Sequence, residues 1–255
     1  MSVSQTNAAA VDQQPPKTRY QGIVVHALHK SASMFLYKFF KRLSERQGLA
    51  FYSENNQPSN PLTEHASVQS DFCHCPVRTF DIDTALENEF DVQRIFHVRD
   101  PRDMLVSEYF SFGWTHSTEN TELDERRLEI QKMSIDNYVI GQSESSQWPL
   151  EEKFAPLMAR KSEKNSELIV QYETMVTNFP KWVSKAIRPF KFRIPQFQVA
   201  KLAWRYRNEF TPSADGTGHK RKITPGDFRE QLKPKTIQIL NDRFADVLER
   251  FGYET

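Results

Sequence analysis

The chain's most constraining feature lies near its start. Gly22-Ile-Val-Val-His-Ala-Leu28 is a short, nearly continuous apolar run, the pattern of a β-strand buried on both faces. A polar stretch follows, His29-Lys30-Ser31-Ala32-Ser33, and Met34 to Leu43 then carries apolar residues at helical spacing. Strand, short loop and helix open an α/β unit, whose parallel sheet needs helices on its faces.

The rest of the chain repeats that logic. Asp71–Cys75 reads as a second strand and Arg94–Val98 as a third. The third runs into Arg99-Asp-Pro-Arg-Asp103, with Pro101 in the turn and Asp103 as the cap of a helix from Met104 to about Phe112. Leu168–Tyr172 reads as a fourth strand, before a helix near Thr177–Ile187. Residues 50–70 read as loop and 121–162 as surface helices rich in paired charges. Two further helices are expected near Pro195–Phe210 and Pro234–Phe251. There is no internal repeat and no interdomain linker. The reading is one α/β domain over 21–255, a central parallel β-sheet flanked by helices, behind a polar, Pro-containing tail at 1–20 read as disordered.

Composition narrows the function classes. The 255 residues hold 34 Lys and Arg against 33 Asp and Glu, a net charge of +1, which excludes a generally basic nucleic-acid coat but not a local basic pocket. No apolar run approaches the roughly 20 residues of a membrane span, so no membrane partner is expected. The two cysteines, Cys73 and Cys75, are separated by His74 alone. That spacing suits neither a disulfide nor, without a second ligand pair, zinc; buried thiols in a strand are the better reading. The N-terminus has no secretory pattern, and a reducing cytoplasm is the expected location.

Three loops concentrate cations. In the first, Lys30 adds a point charge, and Ser31 and Ser33 hydroxyls, to a helix start whose amides attract anions, while Ala32 keeps the turn small. It is no Walker A loop, since GxxxxGK[ST] is absent. The second, Arg99-Asp-Pro-Arg-Asp-Met-Leu-Val-Ser107, leaves the carboxyl end of a buried strand, where α/β sheets bind ligands. The third is Arg221-Lys222-Ile-Thr-Pro-Gly226-Asp227-Phe228, after His219 and Lys220. Taken alone, the first reads equally well as a plain helix start with Lys30 solvated, and the second and third read better as solvated surface. Three in a chain of net charge +1 suit one ligand with two separated anionic groups.

This arrangement resembles the sulfotransferases that use 3′-phosphoadenosine 5′-phosphosulfate. Lys30-Ser31-Ala32-Ser33-Met34-Phe35-Leu36 stands in the register of their first signature, Lys-Ser/Thr-Gly-Thr-Thr-Trp-Leu. Arg99-Asp-Pro-Arg-Asp103 through Val106-Ser107-Glu108-Tyr109-Phe110 is similar to their second. Arg221 to Phe228 is similar to their third, with Ile223 and Phe228 replacing Gly and Trp, and Tyr172-Glu-Thr-Met175 stands in family order. The resemblance spans about residues 22 to 253. It implies a P-loop NTPase-like sulfotransferase fold and transfer of a sulfuryl group to a hydroxyl or amine without a metal. It implies that Lys30, Ser31, Ala32, Ser33, Met34 and Phe35 hold the 5′-phosphosulfate, with Phe35 also stacking on adenine. Arg99, Ser107, Arg221 and Lys222 would bind the 3′-phosphate, and Tyr172 and Phe197 the adenine.

Lys30 would neutralise charge on the departing phosphate. His74-Cys-Pro76 occupies the place of the family's His-Leu-Pro, so the resemblance makes His74 the candidate base, with Phe72 where the family has lysine. His29 and Glu64 are the reserves. Tyr109, Phe110, Phe112 and Trp114 read as an acceptor cleft or as core. A small-molecule acceptor is expected, with no nucleic-acid partner, because the interleaved aromatic and basic residues of an RNA-binding sheet are missing. The sequence leaves the oligomeric state open, a homodimer included. The rivals are a P-loop kinase acting on a small molecule and a nucleotide-binding protein without turnover.

Overall fold

In this computed structural model the described residues are 20–54, 70–81, 86, 90–115, 121–145, 149–160, 166–190, 201, 205–206 and 224–255. The first apolar run forms β1, Gln21–Ala27, buried from Gly22's neighbour Ile23 onward. It passes through a five-residue turn into α1, Ser33–Gln47, which ends at Gly48 in the left-handed conformation that glycine adopts without strain. A short strand, β2 (Ala50–Tyr52), comes next, then β3 (Phe72–Val77) and β4 (Asp91–Val98). β5 (Glu167–Gln171) completes the sheet.

The five strands lie in the order β2-β3-β1-β4-β5, all parallel. The chain leaves β1 toward β3 on one side and returns to β4 on the other. The carboxyl ends beside β1 are therefore the switch point, where open α/β sheets bind ligands. β2 corrects the reading of 50–70 as loop throughout: a three-residue strand has too little pattern to be seen alone, and its ladder comes from pairing Ala50–Tyr52 with Phe72–His74.

Helices cover both faces. On one, α1 packs Phe35, Leu36, Phe39, Phe40 and Leu43 against Ile23, Val25, Cys73, Cys75 and Ile95. It is joined by α6 (Tyr172–Thr177) and α7 (Phe179–Ala186). On the other lie α2 (Pro101–Phe110), with a π-helical turn at Ser111–Thr115, then α3 (Thr121–Lys132), α4 (Ile135–Glu144) and α5 (Leu150–Met158). The C-terminal helices α8 (Phe228–Gln231), α9 (Pro234–Arg243) and α10 (Ala245–Phe251) join that layer. Leu28, Phe96, Val98, Tyr138, Leu150, Phe154, Leu240 and Phe251 share its core.

Four expectations shift. The helix after β4 starts at Pro101, not Met104, because Asp100 is its cap and accepts from Arg102 N–H at 2.9 Å. Helices α4 and α5 are half core, burying Tyr138, Val139, Leu150, Phe154 and Leu157, rather than surface throughout. Tyr172, expected to close the fourth strand, starts the short helix α6 ahead of the helix expected near Thr177–Ile187, and Pro234–Phe251 breaks at Phe244, 1% exposed in the core. The helix expected at Pro195–Phe210 and the tail at 1–20 lie outside the described residues, apart from Tyr20, Lys201, Arg205 and Tyr206. No helix among the described residues is long and apolar enough to cross a membrane.

Candidate active site

The loop between β1 and α1 is held in an unusual shape. Lys30 and Ala32 both take left-handed backbone angles, φ 66° and 62°. For an L-residue that conformation costs about 1–2 kcal/mol, and such residues concentrate at functional sites. Ala32 offers no side chain to cap α1, so the amides of the first turn stand at an uncapped, positive helix end. The Ser31 hydroxyl, expected to face an anion, is buried and donates to Leu28 O at 2.5 Å, stitching the turn instead. Ser33 is half-buried at the start of α1, and Met34 is exposed. Phe35, expected to stack on adenine, is 7% exposed, its ring packed against Phe39 of its own helix, Phe179 and Trp182 of α7, and Tyr206.

Arg99 joins the first loop to the ends of β4 and β5. Its Nη1 donates to Lys30 O at 2.6 Å, and its guanidinium lies 4.2 Å from the centre of the Tyr172 ring. Asp103 is 4.0 Å away, and Arg99 Nε is buried with no hydrogen-bond partner. A 5%-exposed cation with an unmet donor is a group poised for an anion. Ser107 is half-buried further along α2. Asp103, expected as a helix cap, accepts from Gly226 N–H at 2.7 Å and Phe228 N–H at 3.0 Å. It thereby fastens α2 to the turn that ends the third cationic segment. Arg221, Lys222 and Phe197 themselves lie outside the described residues, as does Glu64.

Two residues that the motif reading passed over complete this end of the sheet. Arg78, just beyond β3, donates from Nη1 to His29 Nδ1 at 2.8 Å. Its backbone N–H donates to Glu54 Oε2 at 3.1 Å. His29, a reserve base, thus has one ring nitrogen engaged by a cation. Glu173, beside Tyr172, accepts from Asp100 N–H at 2.9 Å and from the Tyr253 hydroxyl at 3.2 Å. Burial raises its carboxyl to about 7. Position in the Tyr-Glu-x-Met segment was the one sequence signal for Glu173. Arg78 offered none beyond closeness to His74.

The electrostatics follow from this crowding. Burial lowers the Lys30 amine to about 8; the Glu108 carboxylate opposes that, and Arg99 and Arg78 add to it. Lys30, Arg78 and Arg99 therefore form a cationic cluster at the carboxyl ends of β1, β3 and β4, Arg99 buried and the other two half-buried. His74 lies on β3, 0% exposed, with Nδ1 and Nε2 both lacking a hydrogen-bond partner. Burial lowers it to about 4, leaving a neutral imidazole at pH 7. Cys73 and Cys75 point to the opposite face into the α1 core, and burial pushes the Cys73 thiol up to about 12. No cluster of three or more His, Cys, Asp or Glu side chains suited to a metal occurs among the described residues. Tyr109 is buried, Phe110 and Phe112 pack on the core, and Trp114 is exposed; Tyr109 and Phe110 stack edge-on to each other at 5.2 Å.

The fold is that of the sulfotransferases, a single domain with a central five-stranded parallel sheet flanked by helices. Among solved structures, mouse sulfotransferase SULT7A1 complexed with PAP is similar over 91% of this chain and 85% of its own, with a TM-score of 0.67 and 15% identity. Retinol dehydratase in complex with androsterone and the inactive cofactor PAP is similar over 89% of this chain and 80% of its own, with a TM-score of 0.58 and 12% identity. A second retinol dehydratase structure, with retinol and PAP, gives 91%, 82%, 0.55 and 15%. No protein-family model matches the chain, and no curated protein sequence does.

Proposed function

We propose that this chain is a sulfotransferase that moves the sulfuryl group of 3′-phosphoadenosine 5′-phosphosulfate to a hydroxyl or amine of a small-molecule acceptor. The observation that carries the reading is the convergence of Lys30, Arg78 and Arg99 at the switch point of a sulfotransferase-type sheet. Phosphosulfate transfer is largely positioning and electrostatics, as phosphoryl transfer is. The cations meet that need without a metal. Lys30 stabilises the departing phosphate, and the amides from Ser31 to Phe35 cradle it, the Phe35 ring staying in the core. Arg99, Ser107, Arg221 and Lys222 bind the 3′-phosphate, and Tyr172 with Phe197 contacts the adenine.

His74 is the proposed base: its imidazole is neutral at pH 7 and both nitrogens are unengaged. The acceptor hydroxyl or amine would attack the sulfur as the bond to the bridging oxygen breaks; His74 takes the proton and the nucleotide leaves as the bisphosphate. Complexes of solved structures of this fold with PAP, androsterone and retinol support a nucleotide donor and a small apolar acceptor. The complete burial of His74 favours one alternative, a protein that binds the nucleotide without turnover.

Calorimetric titration with adenosine 3′,5′-bisphosphate, beside ATP with magnesium, tests the donor site. Micromolar or tighter binding of the bisphosphate is the expected result. Binding of ATP with magnesium alone would put a kinase in its place. Bisphosphate binding without transfer to any of a broad panel of phenols, alcohols and amines would favour the binder.

A further inference from the structure

The sheet ends at β5. In the order β2-β3-β1-β4-β5 its strand neighbour among the described residues is β4 alone, so its far edge carries main-chain groups outside any described ladder. A groove of about 520 Å³ lies along that edge, lined by Ile169, Val170 and Gln171. Successive side chains of a strand point to opposite faces, so a cavity that touches three in a row lies beside the backbone.

The walls of the groove are cationic. Lys181 and Lys185 of α7, Arg188 just beyond it and Arg250 of α10 line it, and no Asp or Glu does. That is an uneven distribution for a chain of net charge +1. Arg250 is fixed in place: its Nη2 donates to Arg160 O at 2.6 Å and its Nη1 to Met158 O at 3.4 Å. Lys181 and Arg188 are exposed and Lys185 is half-buried, and among the described residues none of the three is in an ion pair. Lysines beside a sheet edge keep neutral and basic strands away. The same field draws an acidic one. The spacing agrees: four residues of helix, from Lys181 to Lys185, advance about 6 Å, and side chains on one face of a strand recur about every 6.6 Å.

We propose that this edge is a docking site for an extended acidic segment of a partner protein. The segment adds a strand to β5 and sets alternate Asp or Glu side chains against Lys181, Lys185 and Arg188, with Arg250 on the other face of the sheet. Main-chain hydrogen bonds supply the hold, and the cations supply the choice of partner. The site lies two strands from the loop that carries Lys30 and does not depend on the sulfotransferase reading.

The test is fluorescence anisotropy with a short labelled peptide alternating threonine and glutamate. Micromolar binding that weakens with salt is the expected result, with slower amide exchange along β5 in the complex. The double variant Lys181→Glu/Lys185→Glu loses about tenfold or more in affinity, the size of two exposed pairs turned repulsive. It gains binding of the matching peptide with lysine for glutamate, a rescue that a damaged fold would not show. A peptide N-methylated at alternate residues, which cannot pair with the edge, binds at least tenfold more weakly. No binding of the acidic peptide, or equal binding by the double variant, overturns the proposal. Equal binding of the N-methylated peptide, with inorganic tripolyphosphate competing at the same affinity, overturns it in favour of a plain anion site. Dimers of this chain that the double variant abolishes overturn it in favour of a second copy on this edge. Affinity for adenosine 3′,5′-bisphosphate stays unchanged in the double variant, so failure here and failure of the donor site are read separately.

Discussion

At the residue scale, position 22 shows how little room the sheet leaves. A Cβ on Gly22 would lie 2.5 Å from Phe72 Cζ and 2.9 Å from its Cε1. Phe72 is wholly buried and wedged against Phe90, ring centres 5.3 Å apart, and Tyr52 at 6.1 Å. Gly22→Ala therefore forces an aromatic cluster to move and should cost about 1–3 kcal/mol, read as a lower urea midpoint; an unchanged midpoint would mean that the ring relocates freely. The sequence made Gly22 visible as the edge of an apolar run but said nothing of Phe72 lying across it, since the two are strand neighbours only through register. The same limit explains Phe35 and Ser31. Their residue types suit a ligand, and their side chains turn instead to core and loop.

At the scale of elements, strands were legible where the local pattern decides: the apolar runs became β1, β3, β4 and β5 within a few residues. Caps were not: Asp100 and Asn178, which accept from Arg102 N–H at 2.9 Å and Lys181 N–H at 3.1 Å, went unread. Where a polar group serves another element, the local reading misassigned it. Asp103 is the example: a carboxylate in a helix's first turn looks like a cap, but it holds the amides of Gly226 and Phe228 across 123 and 125 residues. In Asp103→Asn one of those amides would face an N–H₂ group or lose its partner. The expected cost is about 1–3 kcal/mol, with faster amide exchange at Gly226 and Phe228 than at α9. Equal exchange at both places would show that α8 is held by packing alone.

At the scale of the molecule, three buried histidines, His26, His74 and His97, tie stability to pH. His26 donates from Nδ1 to Thr79 O at 2.7 Å and accepts from Arg94 Nη1 at 3.3 Å, and burial takes it to about 3. His97 is likewise taken to about 3, its ring edge-on to Tyr172 and Trp182. Each folded value lies below the ordinary 6.5 of histidine, so the unfolded chain binds the proton first, and stability present above 6.5 is lost as pH falls toward the folded value. Glu173, raised to about 7, works the other way: its contribution is full below 4.5 and is lost as pH rises through 7. His97→Phe separates the two. Relative to wild type it should gain about 2 kcal/mol between pH 7 and pH 5, measured as the difference in urea unfolding free energies; a constant difference would mean that His97 titrates in the fold as it does in the unfolded chain. The sequence by itself determined the α/β class, the strand order of events along the chain and the cationic segments, because buried runs, helix periods and loop charges are local patterns. The tertiary structure decided which of those charges meet. Parallel pairing brings the loops after β1, β3 and β4 to one edge, where Arg78 and Arg99 meet Lys30, and burial then sets their ionisation, a quantity that depends on how much water each group has lost.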